Sequence, residues 1–202
     1  MKQYPSIQRE IVDKPIIAFA KNDGNNIRAE WSKKHKGFVK FGSRKVLIDE
    51  THEQLGKSIN LIKTKYEKDL TDIFKKERYE EVVCFFEFFG PNSFAGMHDP
   101  NDTLDVLLFD LDVYKYGLLP PREFIKLTGK IDTPSVLYEG RPTQEFIKSV
   151  YDSTLENMPL EGVVCKGLPI KNGYPPLMFK LKSKIWLDKV KEKYKDNWEE
   201  LI

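Results

Sequence analysis

Ile16-Ile17-Ala18-Phe19-Ala20-Lys21-Asn22-Asp23-Gly24-Asn25-Asn26-Ile27-Arg28-Ala29-Glu30-Trp31 reads as a strand, a tight polar turn and a second strand. Ile16 to Ala20 is a short apolar run, Asn22 to Asn26 are turn residues, and strand character resumes from Ile27 to Trp31. Lys21 therefore stands where a strand enters a turn, its amine presented at an edge. Outward from this point strands alternate with a few helices. Gly37 and Gly42 bracket Phe38 to Phe41, and Arg44 to Ile48 follows with a β-branched pattern, which predicts a hairpin. From His52 to Lys76, Leu55, Ile59, Ile62, Tyr66, Leu70 and Ile73 recur at steps of three and four, one apolar stripe of a helix. Val82 to Phe89 and Leu104 to Val113, with Pro91 and Pro100 in the loop between them, read as buried neighbouring strands.

The second half continues the alternation. Pro121 to Leu127 predicts a short helix, and Pro142 to Asn157 a longer one that buries Phe146, Val150, Tyr151 and Leu155. Glu161 to Gly167 and Leu177 to Leu181 are strands, joined by a connection containing Gly173, Pro175 and Pro176. Strand side chains alternate faces, so Lys180 and Lys182 point to the same side, an arrangement suited to two amines facing one anion. From Ser183 a helix carries Trp186, Val190 and Tyr194 on one stripe.

With 202 residues, 40% of them hydrophobic and 12% aromatic, the chain can bury a proper core as one domain. Its net charge of +2 means that any contact with nucleic acid must come from a local patch. Cys84 and Cys165 sit among apolar residues, and neither a signal-peptide core nor a run of 18 apolar residues is present, which predicts a reduced, cytoplasmic setting without membrane contact. His35, His52 and His98 lack metal-ligand spacing, the cysteines form no CxxC, and no glycine-rich loop matches a P-loop. The lysines from Lys184 to Lys195 alternate with acidic residues and read as a solvated helix face.

Five segments carry chemistry: Lys21-Asn22-Asp23-Gly24, Phe86-Glu87-Phe88-Phe89-Gly90-Pro91, Leu108-Phe109-Asp110, Glu161-Gly162-Val163-Val164-Cys165-Lys166 and Phe179-Lys180-Leu181-Lys182. Together they contain what transfer of a nucleoside monophosphate to a lysine requires. The nucleophile must be a neutral amine, and bringing a lysine of pKa about 10.4 near neutrality takes roughly 4 kcal/mol. Partial burial, the cations Lys180 and Lys182 and a bound divalent ion could lower the Lys21 pKa and stabilise departing pyrophosphate. Asp23 could orient Lys21, Gly24 could let backbone approach a nucleotide, and Glu87 could accept hydrogen bonds from ribose. Glu161 offers a hard oxygen ligand for hydrated Mg²⁺, and Phe109 a flat face on which a purine stacks, worth about 1–3 kcal/mol.

In this order the segments resemble motifs I, III, IIIa, IV and V of the covalent nucleotidyltransferases, which comprise polynucleotide ligases and mRNA capping guanylyltransferases. They look most like the ATP-dependent RNA ligases of bacteriophages, in particular those that seal nicked duplex RNA. The resemblance runs from Lys21 to Lys182. It implies that Lys21 carries a covalent adenylate, Glu87 contacts ribose, Phe109 stacks on adenine, Glu161 holds metal-bound water, and Lys180 and Lys182 contact the α-phosphate. It also matches Arg44 to an arginine that contacts nucleotide and reacting phosphate, and Lys166 to the lysine that ends motif IV. ATP and Mg²⁺ or Mn²⁺ are the implied cofactors; RNA ends or a nicked RNA-containing duplex are the implied partners, with room for an accessory protein.

Two departures narrow the match. DNA ligases and capping enzymes often place an arginine two residues after the first motif's glycine, where this chain has Asn26, and the nearest arginine is Arg28. Both classes continue past motif V into an OB-fold, whereas one helix follows Lys182 here, so the expectation is a single domain over 1–202 without a C-terminal OB-fold. Each segment alone also has a plainer reading: a solvated turn at Lys21, a core side chain at Phe109, a surface charge at Arg44, or an exposed strand face at Glu87, Lys180 and Lys182. Their joint order favours an α+β fold of antiparallel sheets with flanking helices, the nucleotide in a cleft between the sheets. A minimal DNA ligase, or a nucleotide- or RNA-binding module without turnover, are the alternatives.

Overall fold

A computed structural model describes residues 1–91, 101, 103–167 and 177–201. The loop residues His98 and Pro100 and the connection with Gly173, Pro175 and Pro176 lie outside the described residues. Two antiparallel sheets organise the chain. The larger has β4 (Leu47–Ile48), β3 (Gly37–Gly42), β2 (Asn25–Ser32), β5 (Glu81–Phe89), β6 (Asp105–Val113) and β7 (Gly117–Leu118), in that order. The smaller has β10 (Met178–Lys182), β9 (Gly162–Gly167), β1 (Ile16–Lys21) and β8 (Val136–Gly140). The helices are α1 (Gly56–Lys76), α2 (Pro121–Thr128), α3 (Gln144–Tyr151), α4 (Lys184–Tyr194) and α5 (Trp198–Leu201). Among the described residues no helix is long and apolar enough to cross a membrane.

Alternation of side chains decides which face of each sheet carries function. On β5, Val82, Cys84, Phe86 and Phe88 join Ile59, Ile62, Tyr66, Leu70 and Phe74 of α1 in the main core. Val83 and Phe85 point the other way, into a cluster with Leu118 and Met178 against which Tyr4 and Phe109 pack. Glu87 shares that second face. In the smaller sheet, Ile16 and Ala18 of β1, Val163 and Cys165 of β9, and Phe179 and Leu181 of β10 pack with Phe146 and Val150 of α3. Lys21, Lys166, Lys180 and Lys182 lie on the opposite face of the same strands. A helix thus covers one face of each sheet, and the faces bearing charged groups meet.

Polar side chains fix α1 over its sheet. The indole Nε1 of Trp31 donates to Thr71 Oγ1 at 2.8 Å, and the Tyr66 hydroxyl shares its one proton between the carbonyls of Val106 at 3.1 Å and Asp132 at 3.0 Å. Buried groups satisfied in this way add rigidity without a desolvation penalty.

Several elements differ from the sequence expectation. The helix predicted from His52 begins at Gly56, because 52–55 close a turn in which Gly56 N donates to the His52 carbonyl at 2.8 Å. The strand predicted over Arg44–Ile48 is only Leu47–Ile48, since Arg28 binds the Ser43 carbonyl and the chain bends at 44–46. The long helix stops at Tyr151, where Asp152 N and Ser153 N cap the last turn, and Tyr151 is 45% exposed instead of buried. Strand β8 gives no sequence signal because it is a half-buried edge strand with no apolar alternation. Cys84 and Cys165 are buried free thiols, and Lys184, Lys189, Lys191, Lys193 and Lys195 are exposed, as a solvated face requires.

Candidate active site

Between the sheets lies a cavity of about 600 Å³. Every residue singled out from the sequence lines it: Lys21, Asp23, Gly24, Arg44, Glu87, Phe109, Glu161, Lys166, Lys180 and Lys182. They arrive from β1 and its turn, the β3–β4 connection, β5, β6, β9 with the residue before it, and β10. A set so scattered in sequence converges only because the two sheets face each other.

Glu161 is the hub of one end. It is 4% exposed, and its Oε1 accepts from Lys21 Nζ at 2.9 Å and from Lys182 Nζ. Its Oε2 is buried with no hydrogen-bond partner. Two glycines permit this packing. Gly162 has φ +132°, and a Cβ there would lie 2.1 Å from the Leu181 carbonyl oxygen, so only glycine lets β9 close on β10 and set Glu161 beside Lys182. A Cβ on Gly24 would lie 2.4 Å from the Phe88 carbonyl oxygen. Close approach of protein backbone therefore constrains Gly24 before any approach of nucleotide does, which amends the expectation from sequence.

Electrostatics correct a second expectation. Burial alone would lower the Lys21 pKa, but the carboxylates of Glu161, Glu87 and Asp23 outweigh it and hold the amine above the ordinary lysine range. The depressed amines are its neighbours. Burial lowers Lys182 to about 8 despite the pull of Glu161, with Lys21 repelling it, and burial together with Lys21 and Arg9 lowers Lys180. Partial burial with Lys180 and Lys182 nearby therefore does not depress Lys21 by itself, because three carboxylates from three separate segments face it.

Burial, opposed by Lys21 and reinforced by Glu161 and Asp23, raises Glu87 from 4.5 to about 7. A folded-state pKa above the unfolded one gives stability that is full below the unfolded value and is lost as pH rises through the folded value. Ionising Glu87 between these limits therefore weakens the fold. Glu87→Gln is expected to raise unfolding free energy at pH 8 by about 1–3 kcal/mol and to change it little at pH 4. Urea titrations at the two pH values check this, and an equal effect at both would contradict it.

The other end of the cavity is aromatic. Phe109 is partly exposed and offset-stacked on Phe85, with ring centroids 6.3 Å apart. Beyond it Lys166, 3% exposed, donates to the Phe109 carbonyl at 2.8 Å and to Asp110 Oδ2 at 2.9 Å. Lys166 is thus part of the deep wall, held by a buried ion pair, while Lys180 and Lys182 flank Glu161. Arg44 is exposed at the mouth, its Nη2 3.4 Å from Ser6 Oγ. Arg28 does not stand in for the arginine missing at Asn26: it is 3% exposed and donates to the carbonyls of Ser43, Met1 and Lys2.

Tyr4 and Trp186 are among the lining residues that carry no site signal in the sequence. Tyr4 presents its edge to Phe109 at 5.0 Å and donates its hydroxyl to Asp110 Oδ2 at 2.7 Å. It lies in an aperiodic N-terminal segment, which offers no signal. Trp186 lies on the apolar stripe of its helix and is buried, yet it also borders the cavity.

Glu161 Oε2, an orphaned oxygen on a cavity-lining residue, fits a divalent cation. Among the described residues no group of three or more His, Cys, Asp or Glu could hold a metal, so the remaining ligands would be water and phosphate oxygens.

No family model and no curated protein matches the chain. Solved structures do. An RNA ligase from Naegleria gruberi without ligand superposes with TM-score 0.67 and 17% identity over 94% of this chain and 58% of its own. The same enzyme with AMP and manganese gives 0.65 and 17%, over 94% and 58%. A protein from Aquifex aeolicus, provisionally described as an ATP-dependent DNA ligase, gives 0.68 and 19%, over 100% of this chain and 57% of its own. At this identity the likeness is one of fold alone: the chain shares the arrangement of antiparallel sheets and flanking helices found in these ligase structures. The chain spans just over half the length of these structures.

Proposed function

We propose that this chain is an ATP-dependent RNA ligase that joins a 5′-phosphate to a 3′-hydroxyl through a covalent lysyl-AMP. The observation that carries this reading is the convergence of Lys21, Glu161, Lys182, Glu87 and Phe109 on one cavity with a cationic side and an aromatic side. In the proposed pose the adenine stacks on Phe109, Glu87 accepts from ribose, and the α-phosphate meets Lys21, Lys180 and Lys182.

Lys21 Nζ attacks the α-phosphorus, a P–N bond forms, the bond to the bridging oxygen of the β-phosphate breaks, and pyrophosphate leaves. Before attack the amine must lose a proton, and Glu161, 2.9 Å away, is placed to draw on it. A divalent cation at Glu161 would supply positive charge that loosens the carboxylate's hold on the Lys21 proton and screens the phosphate. Lys182, with its pKa about 8, is mostly charged at neutral pH and stabilises the negative charge that develops. AMP then passes to a 5′-phosphate, and a 3′-hydroxyl displaces it to seal the strand. Asp23, Gly24, Arg44 and Lys166 complete the nucleotide site, Lys166 as part of its deep wall.

The named neighbours include RNA and DNA ligases, so a DNA ligase is the second reading. Resemblance of the motifs to nick-sealing RNA ligases favours a nick whose 3′-hydroxyl strand ends in RNA. Ends already held in register also spare the enzyme the entropic cost of aligning them. Parallel assays on splinted nicks with RNA or DNA at the 3′-hydroxyl, and on free single strands, test this. Sealing is expected to be strongest with the RNA-terminated nick and to fall with salt, because binding relies on phosphate contacts. Preference for an all-DNA nick would select the second reading.

A further inference from the structure

Resting on the adenylyl-transfer reading above, we propose that Trp186 is a positioning residue for that reaction: its indole face holds the Lys182 amine against the wall of the cleft, aimed at the α-phosphate. The Lys182 Nζ lies 3.8 Å from the centroid of the Trp186 ring and also donates to Glu161 Oε1. The amine is thus in contact with both a carboxylate and a π face, two groups that each favour a cation there.

The local chain is built to make this contact. Ser183 caps α4: its Oγ accepts from Trp186 N at 3.1 Å and donates to the Leu160 carbonyl. Ser183 N also donates to the Glu161 carbonyl at 3.1 Å. One residue therefore ties the start of α4 to the segment that bears Glu161. Trp186, in the first turn of the helix, is carried back over the strand that delivers Lys182. Trp186 is 2% exposed, so its ring is packed and cannot swing away. Lys180 shares the face of β10 with Lys182 but sits within electrostatic reach of Arg9 and Arg44, nearer the mouth. The two lysines accordingly differ: Lys182 is set in place before substrate arrives, which lowers the cost of organising charge in the transition state.

The test combines a catalytic readout with one independent of catalysis. The first is single-turnover formation of the protein–AMP adduct against ATP concentration. The second is the NMR position of the Lys182 ε-methylene in chain labelled with ¹³C-lysine, assigned by its loss in K182R. In the parent this signal is expected to be displaced upfield by the indole ring current, to stay displaced in W186F and to return to the open-chain position in W186L. At saturating ATP, W186L should form the adduct about tenfold more slowly with half-saturating ATP changed by less than about twofold, and W186F should stay within about threefold of the parent. Loss of the contact would thus appear in the rate and not in ATP binding, which a general packing defect does not predict. Melting curves show whether W186L is folded; if it is not, W186F and the parental ring-current shift decide. An undisplaced parental signal, or a W186L rate equal to that of the parent, overturns the role of Trp186 alone. A parent that forms no adduct overturns the functional reading and the role together.

Discussion

Lys21→Ala is expected to abolish the covalent adduct formed from labelled ATP and Mg²⁺, at any ATP concentration and any pH. The parental adduct should be acid-labile, as a phosphoramidate is. Lys21→Arg should fail as completely, because guanidinium remains protonated and is a poor nucleophile. A substituted chain should still fold: Lys21 ends β1 and its amine pairs with Glu161, so the pairing of β1 with β9 and β8 does not depend on the amine. Normal labelling of Lys21→Ala would show that the nucleophile lies elsewhere.

The second large effect is expected at Glu161. Glu161→Gln keeps the shape of the side chain but removes the charge that Lys21 and Lys182 share. The two amines then share a buried site with only Glu87 and Asp23 left as counter-charges, and breaking a buried ion pair in this way destabilises a fold by about 3–5 kcal/mol unless the amines lose protons. Adduct formation at saturating ATP should fall by roughly two to three orders of magnitude, the size typical of losing a group that stabilises transition-state charge. The melting temperature should fall as well, and less at high pH, where the amines can be neutral. Rapid-quench measurement of the adduct alongside melting curves at pH 7 and pH 9 reads both effects. A parental rate in Glu161→Gln would remove Glu161 from the mechanism.

Much of this site was legible in the sequence because strands alternate. Lys180 and Lys182 had to share a face, and Glu87 had to lie opposite Cys84, Phe86 and Phe88; knowing that α1 packs on the latter puts Glu87 in the cleft. Order along the chain then supplied the rest through resemblance. Less was legible where the property belongs to several segments at once. The raised pKa of Lys21 comes from Glu161, Glu87 and Asp23, three carboxylates separated by most of the chain. The steric need for glycine at 24 comes from the Phe88 carbonyl, which no local pattern reveals. Tyr4 and Trp186 reach the cavity from a segment without periodicity and from a helix whose stripe looked like ordinary core. The ends of α1 and α3 shifted for a related reason: main-chain hydrogen bonds at their caps, not the apolar stripe, decide where they begin and stop.

The central claim is that Lys21 becomes covalently bound to AMP. Intact-mass spectrometry of the chain after incubation with ATP and Mg²⁺, followed by peptide mapping under neutral conditions, tests it most directly. The expected result is a single added AMP, located on the peptide containing Lys21, removed by acid and absent when the α,β-bridging oxygen of ATP is replaced by a methylene. An unmodified chain, or AMP on any other residue, would contradict it.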